Sequence, residues 1–290
     1  MYPAEFSYLR AGSVAEALEV LADGGEDEEI KVLAGGQSLL PMMKLRLATP
    51  GTLLDIGGLT ELAATDAARG RIGALATYRS LELDPVVRER FPAMADALRV
   101  LADPQVRARG TVGGAVAHGD PAADLPAVLL ALDAEVTVAR LDGSRTVALD
   151  DFFLRVYETD VGEDELVTGI AVPAAPAGQA YEKFEQPASH LPLAGVCAAV
   201  DLSDGVLNGP RIAVTGVAGR TFRAREAEAS LAGQEPAKAI LDAAAALVRV
   251  GAPRPLEDIH ASGPFRLRLA EALARRALRR AVQRAEGAPE

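Results

Sequence analysis

Ile30-Lys31-Val32-Leu33-Ala34-Gly35-Gly36-Gln37-Ser38-Leu39-Leu40-Pro41 is the stretch from which the rest of the chain is best read. An apolar run of strand composition ends in two consecutive glycines, followed by a hydroxyl residue, an apolar pair and a proline. Consecutive glycines permit positive φ and let a ligand approach the backbone with no Cβ in the way. Successive N–H groups in such a turn form a concavity suited to an anion, and Ser38 adds a hydroxyl donor. A diphosphate is the natural guest. The stretch is not a P-loop, because no Gly-Lys-Ser/Thr ending is present and the next lysine is Lys44. Nor does it carry the G-x-G-x-x-G register of a Rossmann turn. Taken alone, Gly-Gly after a strand is only a turn.

A second stretch repeats the chemistry: Thr111-Val112-Gly113-Gly114-Ala115-Val116-Ala117-His118-Gly119-Asp120-Pro121-Ala122-Ala123-Asp124. It holds another Gly-Gly pair with a hydroxyl residue two positions before it. Asp124 opens a predicted helix over Leu125 to Leu132. It is either a first-turn acid, favourable at the positive end of a helix, or an acceptor for a ligand hydroxyl. His118 is either a ligand contact or a partly buried ring. Together with His190 and His260 it forms no metal-like spacing, so no histidine metal site is expected.

Outward from these stretches, Ser13-Val14-Ala15-Glu16 is a capping-box pattern that starts a short amphipathic helix. The helix ends at Asp23-Gly24-Gly25 and an acidic turn follows. Strands are expected at 30–34, 52–56, 71–74 and 135–139. Pro92 suits the first turn of another helix, which Asp103-Pro104 is expected to stop. Pro173 to Gly178 reads as a linker. Beyond it lie three strand-like runs, Ala180 to Phe184, Leu193 to Leu202 and Arg211 to Val217, and two closing helices. The last helix is rich in arginine (Arg266, Arg268, Arg275, Arg276, Arg279, Arg280 and Arg284) with an apolar stripe of Leu267, Ala270, Ala274, Ala277 and Ala281. Its patterning predicts a core-packed helix with a solvated basic face. Mixed α/β order followed by strands and then helices predicts an α+β pair of domains, 1–175 and 176–290.

The composition sets outer limits. The chain has 290 residues, a net charge of −11 and 49% hydrophobic residues, enough for a large core. Its acidity argues against nucleic acid as a partner, and the lack of Trp with only 4% aromatics leaves few platforms for stacking bases. One cysteine, Cys197, excludes an internal disulfide framework and an iron–sulfur cluster ligated by this chain alone. It sits in an apolar run and reads as a core residue. No apolar run approaches the ~20 residues of a membrane span, and the first residues lack a signal-peptide pattern. A cytoplasmic protein without membrane insertion is expected.

The paired motifs Ala34-Gly-Gly-Gln-Ser-Leu-Leu-Pro41 and Thr111-Val-Gly-Gly114, the latter followed by Ala117-His118-Gly119-Asp120-Pro121 and Asp124, resemble the FAD-binding medium subunit of molybdenum hydroxylases. That family includes aerobic carbon monoxide dehydrogenase and bacterial xanthine dehydrogenase-type enzymes. The resemblance continues through Ile72-Gly-Ala-Leu-Ala-Thr77, Tyr181-Glu-Lys-Phe184 and Arg223 to Gly233, so it covers nearly the whole chain. It implies an N-terminal FAD domain of two α/β parts and a C-terminal domain with a three-stranded antiparallel sheet and helices. It also implies that Ala34, Gly35, Gly36, Gln37, Ser38 and Leu39 wrap the FAD diphosphate, with Thr111, Gly113 and Gly114 on its other side. Ala117 and His118 would lie near the isoalloxazine or ribityl chain, and Asp124 would accept from a sugar or ribityl hydroxyl. Leu101 and Val167 would line the apolar part of the pocket. Lys183 would sit at the pyrimidine edge, where a cation favours the anionic reduced ring. The sequence departs from the family pattern at Ala115, at Gly119 and across Glu185 to Pro192.

The resemblance implies an electron relay. A large molybdenum-cofactor subunit would oxidise the substrate. A small 2Fe–2S subunit would deliver electrons to this chain, as a heterotrimer or a dimer of heterotrimers, and an external acceptor would collect them. No catalytic residue and no metal ligand is expected in the chain itself. Two other readings are a self-sufficient flavin oxidoreductase, which would turn over without partners, and an assembly subunit with a degenerate FAD site, which would show no flavin absorbance. A side chain at Gly36 or Gly114 is expected to fill the diphosphate space.

Overall fold

The computed structural model describes residues 2–24, 29–173 and 175–288. The acidic turn at 25–28 and residue 174 of the expected linker lie outside the described residues.

The first unit is a parallel sheet of three strands, in the order Ser7–Arg10, Thr52–Asp55, Ile30–Leu33. Helix Val14–Asp23 makes the first crossover. Its Ser13 cap accepts from the Glu16 amide at 3.1 Å, while the Glu16 carboxylate reaches back to the Gly12 amide rather than to that of Ser13. Ala17, Leu18 and Leu21 bury the inner face against Leu54 and Ile56. The quoted stretch leaves the sheet at Leu33 and enters a second short helix, Leu39–Lys44.

The second unit is an antiparallel sheet of five strands: Thr65–Asp66, Arg71–Gly73, Leu166–Ala171, Glu135–Arg140 and Gly143–Ala148 in spatial order. Helices cover it from Tyr78 to Ala131. Pro92 opens one of them as expected. That helix ends at Val100, ahead of the expected stop at Asp103-Pro104, and Pro104 itself opens another helix, Pro104–Arg109, because proline at the first helical position loses no hydrogen bond. The strand Leu166–Ala171 slips register between Val167 and Gly169, and the carbonyl of Thr168 turns aside to accept from the Ala74 amide at 3.2 Å.

The third unit is an antiparallel meander, Gly178–Glu185, Pro192–Ser203, Val206–Thr215 and Phe222–Arg223. It has four strands, not the expected three. The fourth is two residues long, too short to show alternation. Three helices follow it rather than two: Arg225–Leu231, Lys238–Leu247 and Gly263–Ala285. The long strand is apolar and buried from Pro192 to Val200, because both its faces are covered there. Cys197 and Ala199 face the second unit, while Val196, Ala198 and Val200 face the terminal helices. Cys197 is a free, buried thiol, and burial raises its pKa.

The arginine-rich helix differs from its expected solvated basic face. Its alanine stripe is buried as predicted and Arg268 and Arg276 are exposed, but Arg266, Arg275, Arg279, Arg280 and Arg284 are engaged with the chain's own carboxylates and carbonyls. Arg266 is buried against the carbonyls of Leu193 and Gly216 and the carboxylate of Asp258. Arg275 and Arg279 reach Asp242. Arg280 and Arg284 converge on the buried Asp96 of the second unit at 2.6 and 2.8 Å.

Candidate functional site

A cavity of about 690 Å³ opens where the first and second units meet. Both glycine stretches form its wall. Ala34, Gly35, Gly36, Gln37, Ser38 and Leu39 line it from the parallel unit, and Thr111, Gly113, Gly114, Ala117, His118 and Val167 from the antiparallel one. Gly35 packs on Arg109 and Gly110, just ahead of the second stretch, so tightly that a Cβ there would run into the carbonyl oxygen of Arg109.

The first turn is an open nest. Gly36 has φ of 72°, a left-handed conformation that lets the following amides point the same way. Among the described residues, the amides of residues 35–38 donate to no carbonyl of the chain. Ser38 makes no capping bond with its hydroxyl. The missing Cβ of Gly36 faces Leu33 and Leu40, not the cavity. That position therefore requires glycine for its backbone angle, and not, as the sequence suggests, for room beside a diphosphate.

The second stretch is built the opposite way. It is no turn but the start of helix Val112–His118, N-capped by Thr111, whose Oγ1 accepts from the Gly114 amide at 3.2 Å. Its amides are engaged inside the fold: Val112 with the Ala76 carbonyl at 3.0 Å, Gly113 with Ala74 at 2.9 Å, and Ala115 with Thr111 at 3.0 Å. Gly113 is a packing glycine, since a Cβ would meet Ala74 Cβ at 2.5 Å and Ala74 O at 2.7 Å. A Cβ at Gly114 would meet the capping Thr111 Oγ1 at 2.7 Å, with Ala34 Cβ 4.0 Å away across the cavity. The Thr111 hydroxyl proton remains available to a ligand.

His118 ends this helix with its ring 4.9 Å from that of Tyr157 and tilted 36° to it. Burial, partly offset by Asp120, lowers its pKa and favours the neutral ring. Tyr157 sits at φ 56° at the tip of a hairpin whose Thr159 hydroxyl donates to the Ala117 carbonyl at 3.2 Å. The only lysine or arginine in the lining, among the described residues, is Lys31, which is paired with Glu29 at 2.9 Å. An anion here is therefore met by neutral N–H groups.

Leu101, Asp124 and Lys183 are not part of this wall. Leu101 is in the core of the second unit. Asp124 and Lys183 form a buried pair at 3.1 Å. Asp124 also accepts from the Tyr181 hydroxyl at 2.7 Å, and burial raises its pKa to about 6 against the opposing pull of Lys183 and Tyr181. Lys183, with a side chain only 3% exposed, gives its remaining donors to the carbonyls of Val100 and His190 at 2.8 and 2.7 Å. It ties down the loop 185–192, where the sequence departs from the family pattern and where the Gln186 side chain caps the Ala188 and Ser189 amides. Tyr78 and Tyr157 do line the cavity, and neither stands out in the sequence, because an isolated tyrosine carries no motif.

The site fits a dinucleotide cofactor: a nest of unpaired amides facing a wall that a single Cβ would roughen. Comparison with known proteins makes this specific. A model described as the FAD binding domain in molybdopterin dehydrogenase matches residues 4–175, and one described as the CO dehydrogenase flavoprotein C-terminal domain matches residues 179–281. The chain belongs to the FAD-binding medium subunits of molybdenum hydroxylases.

It is 38% identical to the carbon monoxide dehydrogenase medium chain of Hydrogenophaga pseudoflava, over 98% of this chain and 99% of that one. It is 36% identical to the nicotine 6-hydroxylase medium subunit of Paenarthrobacter nicotinovorans, over 93% and 95% of the two chains. A solved structure of carbon monoxide dehydrogenase from Hydrogenophaga pseudoflava superposes with a TM-score of 0.92 at 40% identity, covering 98% of this chain and 99% of that chain. The medium subunit is thus an FAD-binding oxidoreductase component. Among its described residues no helix is long and apolar enough to cross a membrane.

Proposed function

We propose that this medium subunit passes electrons from the iron–sulfur clusters of a small partner subunit to an external acceptor, with a molybdenum-cofactor subunit as the original donor. The observation that carries the reading is the cavity wall: unpaired amides at residues 35–38 opposite the capped helix start at Thr111–Gly114. FAD, when bound, supplies a group that accepts electrons singly and releases them singly or in pairs. The chain's own residues bind and orient. Ala34 to Leu39 hold the diphosphate, Thr111 and Gly114 face it, and Ala117, His118 and Val167 line the remainder. Leu101, Asp124 and Lys183 support this wall from behind. No nucleophile or general base is required of the chain.

The proposal extends to organisation. Residues 1–175 form the FAD-binding domain and 176–290 the C-terminal domain, the assembly is a heterotrimer, and its location is the cytoplasm. Substrate choice lies with the molybdenum partner. The relatives' names support this, since carbon monoxide and nicotine are served by medium chains of one design. The test is to strip FAD from the native complex. Substrate should still reduce the partner centres, while reduction of the external acceptor is lost and returns with added FAD. Acceptor reduction that persists without FAD would refute the relay.

A further inference from the structure

We infer that the Tyr78 hydroxyl donates a hydrogen bond to a neutral oxygen, a ribityl hydroxyl or a ring carbonyl, on the flavin half of bound FAD. The inference rests on the cavity being the FAD site.

Tyr78 begins helix Tyr78–Leu83, where Thr77 is the cap. Its amide donates to the Gly110 carbonyl at 3.0 Å. Its ring lies so close over Gly110 that a Cβ there would meet ring carbons at 2.5 and 2.9 Å. Backbone and ring are therefore both fixed. The residue is 9% exposed, and what it exposes belongs to the cavity wall. No described residue hydrogen-bonds its hydroxyl, and that oxygen is not among the fully buried ones, so it opens onto the cavity, where a guest can meet it.

The surroundings narrow the partner. Burial first, then the charges of Asp124 and Asp120, hold the phenol well above its ordinary pKa, so it remains a donor. Asp124 is balanced by Lys183, but the charge of Asp120 disfavours a phosphate at this spot, which leaves neutral acceptor oxygens. The wall beyond it consists of Ala115, Ala117 and the tilted rings of His118 and Tyr157, room and a surface for a flat ring system. Lys183, the donor that the family resemblance places at the pyrimidine edge, has its ammonium engaged by Asp124, Val100 and His190. The Tyr78 hydroxyl is uncommitted among the described residues, and it shares the charge of Asp120 with the rings of His118 and Tyr157, which puts all three on one part of the wall.

Tyr78→Phe in the full chain tests this, with FAD and ADP titrated separately. One hydrogen bond predicts an FAD Kd raised about 3- to 10-fold. ADP, which lacks the flavin half, should bind as to wild type. The melting temperature of the cofactor-free chain should not change, because the hydroxyl makes no bond within the chain. The midpoint potential of the bound FAD should move. An unchanged FAD Kd would overturn the inference, as would equal weakening of ADP and FAD or a fall in cofactor-free stability that accounts for the affinity loss. Failure of the site itself would look different: ADP would not compete with FAD even on wild type.

Discussion

The two glycine pairs look alike in sequence and are physically opposite. Gly35-Gly36 sits in a turn that leaves its amides unpaired while its carbonyls accept from Leu40 and Gln37. Gly113-Gly114 begins a helix whose amides are satisfied by Ala74, Ala76 and Thr111. Its continuation is anchored to the C-terminal sheet, through Pro121 and Ala123 to Thr215 and through Asp124 to Tyr181 and Lys183. One pair offers hydrogen bonds to a guest, and the other offers a rigid, flush surface against which the guest is held. A binding site needs both, because free donors without a fixed opposing wall would relax around themselves.

The largest blow to the rigid side should come from Lys183→Met, which leaves the Asp124 carboxylate buried beside Tyr181 alone. A cost of about 3 kcal/mol is expected at neutral pH. Burial already raises the pKa of Asp124 to about 6 with the lysine present, and removing the lysine raises it further. A carboxyl whose folded pKa lies above its unfolded value contributes stability at low pH and loses it as pH rises through the folded value. The deficit of the variant against wild type, measured by urea denaturation, should therefore be wider at pH 8 than at pH 5. A deficit independent of pH would show that the pair is not what fixes this wall.

Gly113→Val should follow, at about 3 kcal/mol or somewhat less, because its Cβ meets the Ala74 backbone. The melting temperature of the cofactor-free chain should fall. Gly36→Ala should cost only about 1 kcal/mol, the penalty of a left-handed alanine, yet weaken FAD about tenfold by turning the nest amides out of line. If Gly36→Ala and Gly113→Val lowered stability and FAD affinity in the same proportion, the division between an open turn and a packed wall would fail.

Local chemistry with a fixed period was legible in the sequence. The Ser13 cap, the strand leading into Gly35-Gly36 and the apolar strand holding Cys197 each follow from a few adjacent residues. Relations set by distant neighbours were not. Nothing near Gly113 reveals that its missing Cβ makes room for Ala74, so the pair reads as a second bend. Arg280 and Arg284 resemble a solvated face until Asp96 is placed beside them. Lys183 and Asp124 carry the family resemblance, yet only tertiary packing shows them facing one another. Phe222–Arg223 is too brief for any pattern to announce a strand.

The clustering of Arg280 and Arg284 on Asp96 has a consequence for how the molecule is made. Asp96 precedes Arg284 by 188 positions. A chain emerging from the ribosome with its N-terminal portion first can offer that carboxylate only the exposed Arg99, 2.6 Å away in the fold, and water until the last helix has been synthesised. The early half can then assemble its sheets but cannot seal the surface around Asp96, so final consolidation waits for the arginines to arrive.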